Sequence, residues 1–232
     1  FDEFETSKLV VKPEVKINTK QMDMAPTFMD KKGKVIVFSS SRDESTGAQR
    51  DPISGEKYMD LYIAEYDVNG NPTSVKSLDT KGVVNTTANE GSATFDSKRK
   101  NIYFTRCPNA EKMDLGCEIW TASMSGQDFE EPRKISLTVS DTISVGHPCL
   151  SPDDQMLIFA SDMQKSPNGE KSFGGRDLWY VTFDKRTKTW DSIPHNMGAM
   201  FNTAGNELFP SIGPNGQLYF ASDGLPGIGG LD

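Results

Sequence analysis

Apolar side chains along this chain come in short runs, and one run returns four times. Val35-Ile36-Val37-Phe38, Ile102-Tyr103-Phe104, Met156-Leu157-Ile158-Phe159 and Leu218-Tyr219-Phe220 are aliphatic or aromatic throughout, and Asn, Asp, Gly and Pro punctuate the chain around them. Runs of this length and composition predict strands. A strand with one wet face would alternate apolar and polar positions. Here the phenylalanine and the two residues before it are apolar in every copy, so both faces of that strand are expected to be buried. No helical period competes with this pattern, and the expected class is all-β.

The runs belong to a longer repeat. Each is preceded by a short segment (Pro26-Thr27-Phe28, Ala93-Thr94-Phe95, Pro148-Cys149-Leu150, Pro210-Ser211-Ile212). It is followed by Asp60-Leu61-Tyr62, Glu118-Ile119-Trp120 or Asp177-Leu178-Trp179, and the fourth copy reaches Asp232. The anchors Phe38, Phe104, Phe159 and Phe220 are 66, 55 and 61 residues apart, so strand spacing is kept while loops vary. Ile17-Asn18-Thr19, Val84-Asn85-Thr86 and Phe201-Asn202-Thr203 add a further element ahead of three copies. Units of this size whose strands are buried on both faces need a neighbour on each side, as radially stacked sheets provide. The expected fold is a β-propeller of four-stranded antiparallel blades, four of them visible and the last incomplete. Blade cores fall near 22–80, 89–139, 144–194 and 206–232. Residues 1–21 would supply a linker and a ring-closing strand, Lys8-Leu9-Val10-Val11. The remainder of the last blade, with one or two more, is expected beyond Asp232, and the start at Phe1 suggests part of something larger.

Charge narrows the partners. With 25 basic and 33 acidic residues the chain carries a formal −8, which argues against a broad phosphate-neutralising surface and so against nucleic acid. No apolar run approaches the roughly 20 residues of a membrane helix, so no direct membrane span is expected.

Candidate chemistry is sparse. Gly-x-Ser-x-Gly, His-Glu-x-x-His and Gly-x-x-x-x-Gly-Lys are absent, and His147 and His195 have no motif around them. The expectation is a chain with no catalytic residue, metal or cofactor, not an enzyme. A glycan-processing hydrolase, a peptidase-gating propeller and a glycan-binding lectin stand as alternatives. The recurring acids Asp60, Glu118, Asp177 and Asp232 are symmetric, which suits one repeated folding task, such as accepting N–H groups at a turn, better than an asymmetric catalytic pair. Cys107 and Cys117 flank one hairpin mouth and are expected to form a disulfide in an oxidising compartment. Cys149 stands where Thr27, Thr94 and Ser211 stand in the other copies, as a small buried thiol would. The longest connections run from Ser41 to Met59, with Arg42, Asp43, Glu44, Arg50 and Asp51, and from Met163 to Arg176, with Lys165, Lys171 and Phe173. Both join a second strand to a third, so both emerge on one rim, as partner-contact loops or as plain solvated loops.

Leu150-Ser151-Pro152-Asp153-Asp154 and Ile212-Gly213-Pro214-Asn215-Gly216, each followed by the apolar run and then Asp-Leu-Trp or Asp232, resemble TolB-type and WD-like propeller repeats. The string Phe201-Asn202-Thr203-Ala204-Gly205-Asn206-Glu207-Leu208-Phe209-Pro210 narrows this, together with Ser222-Asp223-Gly224 and Gly229-Gly230-Leu231-Asp232. It is similar to propellers of Bacteroidetes outer-membrane lipoproteins that also carry tetratricopeptide and OmpA-like peptidoglycan-binding regions. The resemblance implies a periplasmic, outer-membrane-associated scaffold for envelope or type-nine secretion proteins. Peptidoglycan would be reached only through a domain not in this chain.

Overall fold

The computed structural model describes residues 12–51, 54–108, 115–126, 128–138, 140–213, 215–227 and 229–232. Among them every regular element is a strand, and four antiparallel sheets follow the four repeats. The first contains β1 (Asp23–Phe28), β2 (Val35–Ser40), β3 (Asp60–Tyr66) and β4 (Pro72–Ser77) in that order. In the second, β5 (Asn89–Phe95), β6 (Asn101–Cys107) and β7 (Glu118–Ser125) are followed by an outer strand in two pieces, β8 (Asp128–Phe129) and β9 (Arg133–Lys134), both paired with β7. The third repeats this with β10 (Val145–Leu150), β11 (Met156–Ser161), β12 (Asp177–Asp184), β13 (Thr189–Trp190) and β14 (His195–Asn196). Pro132 and Pro194 stand just ahead of β9 and β14; a residue without an N–H cannot serve the ladder, and the outer strand breaks there. The fourth sheet holds β15 (Glu207–Ile212) and β16 (Leu218–Ser222), and Asp232 exchanges both main-chain bonds with Ser222, where a third strand begins in the other blades.

β1, β5, β10 and β15 pack side by side in sequence order, so the sheets radiate from a common axis as blades of a β-propeller. The anchors explain the stacking. Phe38, Phe104 and Phe159 lie directly opposite Tyr62, Trp120 and Trp179 on the third strand. Neighbouring residues of one strand face opposite blades. Val37 packs with Phe95, Ile102 and Phe104 between the first two blades, whereas Phe38 turns to the other flank with Ile17 and Tyr62. Phe159, Trp179 and Leu157 fill the next interface with Ile119, and Leu178 meets Leu208 and the partly buried Phe220 in the last. Burial on both faces of the second strand is thus a product of blade stacking. The segment Lys8–Val11, expected to close the ring, lies outside the described residues.

Every inner strand carries one extra residue at the same height, a β-bulge that shifts register between Met24 and Thr27, Gly91 and Ala93, Gly146 and Cys149, and Leu208 and Ser211. At three of them a non-glycine residue takes the left-handed conformation: Ala25, His147 and Phe209, with φ of 52°, 54° and 52°. Cys107 and Cys117 form a disulfide across the mouth of the β6–β7 connection.

Candidate functional site

The Asn-Thr element, whose role was not legible in the sequence, is an inter-blade clamp. Asn85 accepts the Leu61 N–H at 2.9 Å and donates to the Leu61 carbonyl at 2.9 Å, acting as a strand partner for β3 of the preceding blade. Asn202 repeats this on Leu178 of β12, at 2.8 and 3.0 Å. Both amides are buried. Asn18, in the same motif ahead of the first blade, is exposed and clamps no strand among the described residues.

The threonine after each asparagine caps a buried acid. Thr86 gives its N–H and hydroxyl to Glu90 at 3.0 and 2.6 Å, Thr203 does so to Glu207, and Thr19 to Asp23. Burial raises the Glu90 carboxyl above its ordinary value, against the pull of Thr86 and Arg106. Arg106 bonds Glu90 at 2.8 Å and lies over Phe104 and Trp120. In the first blade Arg42 reaches Asp23 at 2.9 Å and lies over Phe38 and Tyr62. This corrects the reading of Arg42 as a partner-contact residue: its guanidinium is consumed inside the loop base, where two aromatic faces and a buried carboxylate compensate its lost hydration.

The other rim candidates remain at the surface. Asp43, Glu44 and Arg50 are exposed, Asp51 is partly so, and Lys165, Lys171 and Phe173 are exposed in the third blade. Both long connections are hairpins. Arg50 bridges Lys57, with Asp51 N–H on the Glu56 carbonyl at 2.8 Å; Lys165 bridges Lys171, with Ser166 N–H on the Glu170 carbonyl at 2.8 Å. His195 contacts Glu170 at 2.9 Å beside the second hairpin and stacks on Tyr180. Of the recurring acids, Asp60 caps Thr46, and Asp177 accepts Phe173 N–H and the Asn196 amide. Asp232 accepts Gly229 N–H. Glu118 differs, bonding Trp120 Nε1 and the Lys134 ammonium across its sheet.

On the axis the four inner strands enclose a chamber of about 710 Å³ that opens between the first turns of the blades, on the rim opposite the long hairpins. Thr27, Thr94, Cys149 and Ser211 ring it at one level, one from each blade. Burial pushes the Cys149 thiol up to about 11, which leaves it a poor nucleophile. Farther along the strands, His147 stacks on Phe209 with ring centres 3.9 Å apart and accepts the Phe209 N–H on Nδ1. Burial, helped by the Arg176 charge, lowers His147 from 6.5 to about 4.

That shift sets a pH dependence. Because the folded protein binds this proton less readily than the unfolded chain, His147 contributes stability above about pH 6.5 that is lost as pH falls toward about 4. His147→Phe, which copies Phe209 at the equivalent bulge, should remove about 2 kcal/mol of the acid-side loss, allowing for partial exposure. Urea unfolding of both proteins at neutral pH and near pH 4.5 measures it; identical acid-side losses would refute the assignment.

No protein-family model matches the chain, and no curated protein does. Solved structures similar to it are a puromycin-hydrolysing peptidase of Mycobacterium tuberculosis (12% identity, TM-score 0.49, 87% of this chain and 28% of that one) and a thermostable family-43 glycoside hydrolase (12%, 0.49, 81% and 61%). A puromycin hydrolase S511A variant in complex with PGG follows (10%, 0.42, 87% and 42%). The chain therefore spans less than two thirds of each of these proteins. The expectation that the chain is not an enzyme is corrected by this finding, the similar solved structures being enzymes. At such identities the likeness concerns the fold alone and assigns no reaction.

Proposed function

We propose that this propeller is a recognition platform of an envelope protein, docking a partner protein on the rim that carries the two long hairpins. The carrying observation is that both connections are pre-formed β-hairpins tied to their blades, so little ordering entropy is spent on contact. Arg50, Lys165 and Lys171 set cations among the exposed acids Asp43 and Glu44 on this rim, with Phe173 exposed beside them. The finer reading is a link between a type-nine secretion complex, the outer membrane and, through flanking domains, peptidoglycan; it draws on the repeat resemblance and on a disulfide suited to the periplasm. A photo-crosslinker at Phe173 in cells should capture an envelope protein that one at Asn215, on the opposite rim, does not. Reversing Arg50, Lys165 and Lys171 to glutamate should weaken that complex about tenfold, at roughly 0.5 kcal/mol per exposed charge. Equal capture from both rims would refute rim docking.

A second reading, a propeller that admits substrate for a hydrolase, is favoured by the axial chamber, whose volume is that of a small-molecule site.

A further inference from the structure

The first turn of each blade has one residue in the left-handed region, two positions before the second strand: Gly33, Arg99, Asp154 and Gly216, with φ of 65°, 58°, 59° and 75°. Glycine is the default there, and a short acid is tolerated because it can bond the local backbone. Asp154 does comparable work, accepting the N–H and hydroxyl of Ser97 from the neighbouring blade at 2.8 and 2.6 Å. Arg99 has no such reason. Its guanidinium makes no ion pair or hydrogen bond with any described residue, and its Nε is out of water without a partner. A β-substituted residue held at a strained φ with an unpaired charge is unfavourable for folding on two counts.

Arg99 lines the axial chamber. The charged groups of that lining are Arg99, Lys31 and Asp154, and the acid already accepts two bonds, so the open electrostatic demand is for an anion. Around it Phe28, Phe95, Leu150 and Ile212 present apolar surface. We propose that the chamber binds a small organic anion, its carboxylate or phosphate on Arg99 with Lys31 nearby, and its apolar body against those four side chains. A planar guanidinium suits either head group through paired N–H donors. The site is distinct from the hairpin rim and does not depend on the docking proposed there.

The position supplies its own control. Arg99→Gly removes the cation and at the same time installs the residue that the backbone prefers. The variant should melt about 2–4 °C higher, while losing at least tenfold in affinity for phenyl phosphate and hippurate measured by calorimetry. Arg99→Lys should retain part of the binding. Benzamide, neutral and of similar shape, should bind the native chain at least tenfold more weakly than the anions. Comparing phenyl phosphate with hippurate tells which head group is preferred. The proposal is overturned if neither anion binds up to about 10 mM, if benzamide binds as well, or if Arg99→Gly binds like the native chain. It is equally overturned if Arg99→Gly melts lower, since Arg99 would then be structural.

Discussion

Glu90→Ala should destabilise the protein by about 3–5 kcal/mol, a large share of what holds a typical domain folded. The carboxylate is fully buried and collects the Thr86 N–H, the Thr86 hydroxyl and Arg106. Truncation strands all three, and the Arg106 guanidinium is left without its counter-charge between two aromatic rings. The third blade shows what a consistent apolar solution looks like. Val145 replaces the acid and Ser161 stands at the Arg106 position, its hydroxyl turned to the Ser144 carbonyl. The double change Glu90→Val with Arg106→Ser should therefore recover a good part of the loss, because it removes the charge together with its partner. Urea unfolding of the two proteins tests this, and a single-variant loss below about 1 kcal/mol would contradict the account.

The second large effect concerns the clamps. Asn85→Ala and Asn202→Ala should each destabilise by about 1–3 kcal/mol, since each leaves a buried strand N–H without a partner, while the carbonyls of Leu61 and Leu178 keep only the N–H of Leu78 and Met197. Asn18→Ala should change stability by less than about 0.5 kcal/mol, because the same motif there faces water. The contrast lies within one chain, and thermal or urea unfolding reads it directly. Equal effects at all three positions would show that the asparagine acts on its own turn instead of on the neighbouring blade.

Much of the architecture was legible because a residue facing two neighbours must be apolar on successive positions. That constraint left its trace at Phe38, Phe104 and Phe159 and in the aromatic opposite each. The disulfide pair and the capping role of Asp60 and Asp177 follow from local spacing, whereas the hairpin form of the two long connections did not show in it. What stayed hidden was long-range hydrogen bonding: the spacing of Asn85 and Asn202 was visible, but their partners lie 24 residues upstream in another blade. The buried acids Asp23, Glu90 and Glu207 follow the threonine by four residues in every case, a signal present in the sequence that acquires meaning only with the clamp. Arg42 and Arg106 converge on the same task from different offsets, four and two residues after the anchor, so no alignment of the repeats would pair them. Arg99 shows itself as the one long side chain at a turn position where its counterparts are glycine or aspartate, and only φ reveals the cost.

The interrupted perimeter strands have a consequence for behaviour at high concentration. A long unbroken edge would offer a row of free amides and carbonyls to another molecule, the template on which cross-strand fibrils grow. By splitting that edge into two-residue pieces next to Pro132 and Pro194, the second and third blades deny an incoming chain more than a bond or two in succession. At those two edges crowded copies would meet side chain to side chain, and the unbroken β4 is the perimeter strand left to offer a longer ladder.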